Sequence, residues 1–133
     1  MLGPLRTSER HQMHIVRIAA LALLMLGGST LPSLAHAELV SSVPAADAVV
    51  ETMPETLVLN FSEELEPAFS KVELVGPDGA AVAGTSFALD PANAASAIVT
   101  LPARLTAGHY TVNWVAVATD GHKLTGSYSF DLK

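Results

Sequence analysis

The sequence predicts an all-β fold: an immunoglobulin-like Greek-key β-sandwich or barrel of about seven short strands. Three observations carry that expectation. Beyond residue 35 no segment sustains a helical period. Apolar and polar residues alternate at every second position through several runs, and clusters of Pro, Gly, Asp and Asn separate those runs. The chain has no cysteine, so the core must hold without disulfides.

Residues 1–35 read as a cleaved export signal rather than as part of the fold. Arg6, Arg10 and Arg17 lead into the apolar run Ile18–Gly28, and "STLPSLAHA" supplies a helix-breaking proline and small residues. The run is 11 residues long, well short of the about 20 that a membrane-spanning helix needs. Cleavage and release are expected, with no membrane anchor. Residues 36–133, 98 in number, then suffice for one small domain with a single core.

Within that domain the expected strands are Glu38–Val43, Thr56–Ser62, Ser70–Val75, Thr85–Leu89, Ala97–Leu101, Gly108–Ala118 and Lys123–Leu132. In "TLVLNFS" Leu57, Leu59 and Phe61 share one face, and in "SKVELVG" Val72 and Leu74 oppose Lys71 and Glu73. The run "GHYTVNWVAV" turns Tyr110, Val112 and Trp114 to one side, with Trp114 as the expected central aromatic of the core. The last run places Tyr128, Phe130 and Leu132 opposite Ser127, Ser129 and Asp131. The alternation is most blurred over residues 82–89. Turns are expected at "SVPAAD", "TMPET", "GPDGAAVAG", "LDPANAAS" and "LTAG".

After removal of residues 1–35, Lys71, Arg104, Lys123 and Lys133 face twelve Asp and Glu, a net charge of −8. Phosphate binding needs clustered Lys and Arg, so nucleic acid and anionic membrane surfaces are excluded as partners. The charge itself serves solubility.

The candidate chemistry rests on histidine. His109 alternates onto the polar face of its strand and reads as an ordinary solvated residue. His122 differs, because it follows Asp120 by two positions in "ATDGHKLTG". In extended chain such residues project to one side, and Gly121 between them permits a local bend. A D-x-H turn alone is a weak metal signal. His36 strengthens it: a histidine at a free N-terminus offers both its α-amine and ring Nδ1 to one metal. With Asp120 and His122 the set becomes three nitrogens and one oxygen, which suits tetragonal Cu(II) better than Ca(II) or Mg(II). Small residues at Ser33, Ala35 and Ala37 permit cleavage before His36 or before Glu38, and the local rule does not choose between them.

Over nearly the whole span from His36 onward the chain resembles the CopC family of periplasmic copper-binding proteins. The matching segments are "HAELVSSVPA", "LNFSEEL" and "LTAGHYTVNWVAVATDGHKLTGSYSFDL". The resemblance implies a Greek-key barrel or sandwich in the periplasm that binds one Cu(II) through the N-terminal His36, with Asp120 and His122 as further ligands. It requires cleavage before His36. Glu63, in "FSEEL", matches a carboxylate near the family's Cu(II) site and is expected as a weak ligand or an outer hydrogen-bond acceptor. Some members hold Cu(I) in a methionine-rich segment; from residue 36 onward this chain has only Met53, so no dedicated Cu(I) site is expected.

The function expected is a copper carrier or buffer without turnover, in copper homeostasis or resistance, with the copper ion and a membrane copper transporter or other periplasmic copper protein as partners. Two alternatives compete. A histidine-brace copper oxygenase also uses an N-terminal histidine, but Asp120 would fill the position that oxygen needs. A metal-free immunoglobulin-like binding module would tolerate loss of His36, Asp120 and His122 together.

Overall fold

A computed structural model describes residues 38–133. They form eight strands: β1 (Leu39–Val43), β2 (Val49–Val50), β3 (Thr56–Phe61), β4 (Lys71–Val75), β5 (Ser86–Asp90), β6 (Asn93–Thr100), β7 (Gly108–Val117) and β8 (Lys123–Leu132). Two four-stranded sheets result, ordered β1-β3-β6-β5 and β2-β8-β7-β4. All pairings are antiparallel except β2 with β8. The fold is therefore a β-sandwich, and of the two architectures expected the closed barrel is not adopted. The expected export signal and His36 lie outside the described residues.

The alternation read from the sequence becomes the inner faces of the two sheets. From β3 come Leu57, Leu59 and Phe61; from β7 Tyr110, Val112, Trp114 and Ala116; from β8 Tyr128, Phe130 and Leu132, all buried. Tyr110 and Phe130 stack at 5.6 Å between ring centroids and are the largest fully buried side chains. Trp114 is buried too but packs edge-on against Phe61 at 5.2 Å, so it belongs to the end of the core from which β3 runs out. Its place is made by Gly126, directly across the β7–β8 ladder. A Cβ on Gly126 would stand 2.3 Å from Trp114 Cζ2, inside van der Waals contact.

Two elements depart from the sequence expectation. The strand expected from Ala97 begins at Asn93. Ala94, Ala95 and Ser96 carry little strand propensity of their own; Asn60 of β3 pairs with Ser96 and Asp90 of β5 with Asn93, and the strand runs through the irregularity between them. The two-residue β2 was not expected: Val49 and Val50 join β8 in parallel between two segments that read as turns. On the outer face of the first sheet a polar row crosses three strands. Ser96 Oγ donates to Asn60 Oδ1 (2.8 Å), and Asn60 Nδ2 donates to Ser41 Oγ (3.0 Å).

The segment after β3 ties one end of the sandwich together. Ser62 N donates to the Glu38 carbonyl and Glu38 N to Ser62 Oγ, both at 2.9 Å. Leu65 is buried, its N–H on Ala94 O (3.0 Å), and it bridges Ala118. Thr119 N then reaches Glu64 O (3.1 Å), and Glu66 N reaches Val117 O (2.7 Å).

Candidate metal centre

The turn between β7 and β8 runs through Ala118–His122. Gly121 N donates to Ala118 O (2.8 Å) and Ala118 N to His122 O (2.9 Å), which folds the chain back on itself. Gly121 has φ of 89°, in the left-handed region where a side chain is strained. The bend expected at Gly121 is therefore present. It brings Asp120 and His122 together, with the carboxylate used at both oxygens. Oδ1 accepts the His122 backbone N–H (3.0 Å), and Oδ2 accepts the ring Nδ1–H (2.8 Å).

The pair polarises itself. Hydrogen bonds from the His122 backbone and then from its ring hold the Asp120 carboxyl below its usual range. The Asp120 hydrogen bond and charge, with a smaller contribution from the Glu63 charge, push the His122 imidazole up. Both side chains are about half exposed, so a solute ion can reach them. A cation with donors about 2.0 Å away at right angles needs those donors ~2.8 Å apart. Nδ1 and Oδ2 already hold that spacing. The pair therefore has the spacing that two neighbouring donors of one metal need, with a proton now between them.

Glu63 is half-buried and its charge reaches His122. Among the described residues no group of three or more His, Cys, Asp and Glu is close enough to hold a metal ion. Of the expected site residues, the described part of the chain brings together Asp120 and His122, with the Glu63 charge reaching His122. Glu38 is hydrogen-bonded to Ser62, and the segment that follows Ser62 is hydrogen-bonded to the turn.

His109 is exposed, as expected, but it has a partner that the sequence reading did not assign. The β7–β8 register sets Asp131 directly opposite, and His109 Nδ1 lies 2.8 Å from Asp131 Oδ1. A signal was available, since pairing two ten-residue strands from a short turn fixes this register. The pair lies at the end of the hairpin remote from Asp120 and His122.

The chain matches the CopC domain over residues 39–133. It is 38% identical over 114 residues to protein YobA of Escherichia coli K12, covering 86% of this chain and 92% of that one. To copper resistance protein C of Escherichia coli it is 37% identical over 131 residues, 91% of this chain and all of the other. The crystal structure of PcoC, a methionine-rich copper resistance protein from the same organism, superposes with a TM-score of 0.65 at 39% identity, over 74% of this chain and 100% of that one. A similar domain also lies inside the copper transport protein CutJ of Bacillus subtilis: 27% identity over 100 residues covers 75% of this chain and 18% of CutJ. Family match, identity over most of the chain and shared sandwich agree, and the chain belongs to the CopC family.

Proposed function

We propose that this protein is a periplasmic copper carrier or buffer that captures one Cu(II) at the β7–β8 turn and hands it on without turnover. The observation that carries this reading is the Asp120–His122 pair, one nitrogen and one oxygen held 2.8 Å apart on a half-exposed turn. His36, exposed as the first residue by cleavage after Ala35, supplies its α-amine and imidazole to complete the ligand set. Glu38 is fastened to Ser62, one position before Glu63, and two residues of chain span at most about 7 Å. Glu63 then serves as an outer acceptor or weak ligand. The copper names of the relatives support the metal, and the three-nitrogen, one-oxygen set favours the divalent ion. With Met53 the sole methionine from residue 36 onward, no separate Cu(I) site is proposed, in contrast to the methionine-rich PcoC. Residence of a similar domain within CutJ supports a copper transport protein as receiver.

The test is the native mass of the exported protein, purified from its own compartment and given one equivalent of Cu(II). The expected species starts at His36 and holds one copper. A chain starting at Glu38 with no copper retained would overturn the site and leave a metal-free binding module as the better account.

A further inference from the structure

The loop that follows Leu65 contains an apolar projection that neither the core nor the metal site uses. Pro67, Ala68 and Phe69 are all exposed, and Phe69, at 70% exposure, is the most exposed large hydrophobic side chain of the described residues. Its base is rigidly held. Phe69 N and Ser70 N both donate to Glu66 O (3.2 and 3.1 Å). Ser70 is buried, and its Oγ accepts from Val117 N (3.0 Å) and donates to Val117 O (3.3 Å). An ordered backbone that presents a phenyl ring to water is the reverse of what burial favours.

Position and charge say what the ring meets. Glu66, Leu65 and Glu64 bond to Val117, Ala118 and Thr119 in turn, the three residues that precede Asp120. The projection therefore stands on the same end of the sandwich as Asp120 and His122. The segments that carry it bear Glu63, Glu64, Glu66 and Asp120 against Lys71 and Lys123, a net negative balance. An acidic surround repels an anionic bilayer and attracts a cationic protein surface.

We infer that Phe69 is the apolar anchor of a docking face through which the metal-bearing end meets its copper-receiving protein. That protein is an envelope protein presenting an apolar pocket rimmed by Lys and Arg. The inference rests on the copper-carrier reading. Anchors of this kind, an aromatic ring within a charged rim, dominate the energetics of docking. Because Phe69 is not among the metal donors, the face governs transfer and leaves affinity alone.

The experiment compares the wild-type chain with Phe69→Ser, Phe69→Leu and Glu64→Lys, each loaded with one equivalent of Cu(II). Copper loss is followed to EDTA, to right-side-out membrane vesicles from the producing cells grown with copper, and to protein-free vesicles of phosphatidylethanolamine and phosphatidylglycerol. Wild type, Phe69→Ser and Phe69→Leu are expected to lose copper to EDTA at the same rate. Transfer to cell vesicles is expected to slow roughly tenfold for Phe69→Ser, to slow also for Glu64→Lys, and to stay near wild type for Phe69→Leu. Equal transfer by wild type and Phe69→Ser would overturn the inference, as would wild-type transfer to cell vesicles no faster than to bare lipid. A wild-type dimer in sedimentation that Phe69→Ser dissolves would overturn it too, reassigning the ring to a second copy. Failure of the wild type to load copper at all is seen before any vesicle is added and overturns the carrier reading instead.

Discussion

At the scale of single residues, the behaviour of the site turns on one proton. In the metal-free protein Asp120 hydrogen-bonds His122 and lies beside it, and both effects favour the imidazolium. The His122 ring is therefore expected to titrate above 6.5, its ordinary value. Asp120→Asn should lower it towards that value, and Glu63→Gln should lower it by a smaller step, both read from the ring resonances by NMR. The sign for stability follows from linkage. A raised histidine favours the folded chain fully below pH 6.5, and its contribution disappears as pH rises through the folded-state value. Asp120, lowered from 3.8, contributes above that pH and loses its contribution as pH falls through its depressed value. Copper inverts the first effect, because the metal must displace the proton on Nδ1. Cu(II) affinity is therefore expected to fall as pH drops through the His122 transition, and an affinity unchanged between mildly acidic and neutral pH would remove His122 from the ligand set.

At the scale of elements, the β7–β8 hairpin holds both the core and the site. Gly126→Ala puts a methyl group where Trp114 already lies, and overpacking of this kind costs typically 1–3 kcal/mol. Chemical denaturation should show that loss, with the copper site retained in the folded fraction. Gly121→Ala meets no neighbour within 4 Å but must adopt the φ of 89°. Its cost is about 1 kcal/mol, and it should weaken copper binding more than Gly126→Ala does, since the strain falls between the two ligands. Much of this hairpin was legible in the sequence. Strict alternation from Tyr110 to Trp114 and from Tyr128 to Leu132 fixes which face is buried, and the Asp-Gly-His turn announces a bend. What alternation cannot show is pairing between distant segments. Val49 and Val50 become a strand only because β8 offers them an edge, and β6 reaches back to Asn93 only because Asn60 of β3 meets Ser96 and Asp90 of β5 meets Asn93. Asp131 is His109's partner through register alone. The lacing of Glu38 to Ser62, and of Glu64 and Glu66 to the turn, is carried by backbone groups, which leave no mark on side-chain pattern.

For the whole molecule, the proposed site, with ligands from residue 36 and from the last hairpin, would make copper a fastener between segments far apart in sequence. Anything that binds only the folded state stabilises it by mass action, about 2.7 kcal/mol at a free ligand concentration of 100 Kd. The melting temperature of the protein beginning at His36 is therefore expected to rise on addition of Cu(II). The same protein with the His36 α-amine acetylated keeps every side chain but removes the amine as a donor, breaking the chelate. If that weakens binding about a hundredfold, stabilisation at the same copper concentration drops to about 0.4 kcal/mol, while the metal-free melting temperatures of the two proteins stay equal. Calorimetry of both, with and without copper, separates the contributions. An acetylated protein that copper stabilises as strongly as the parent would show that the α-amine takes no part. Asp120, His122 and Glu63 would then have to hold the metal without it.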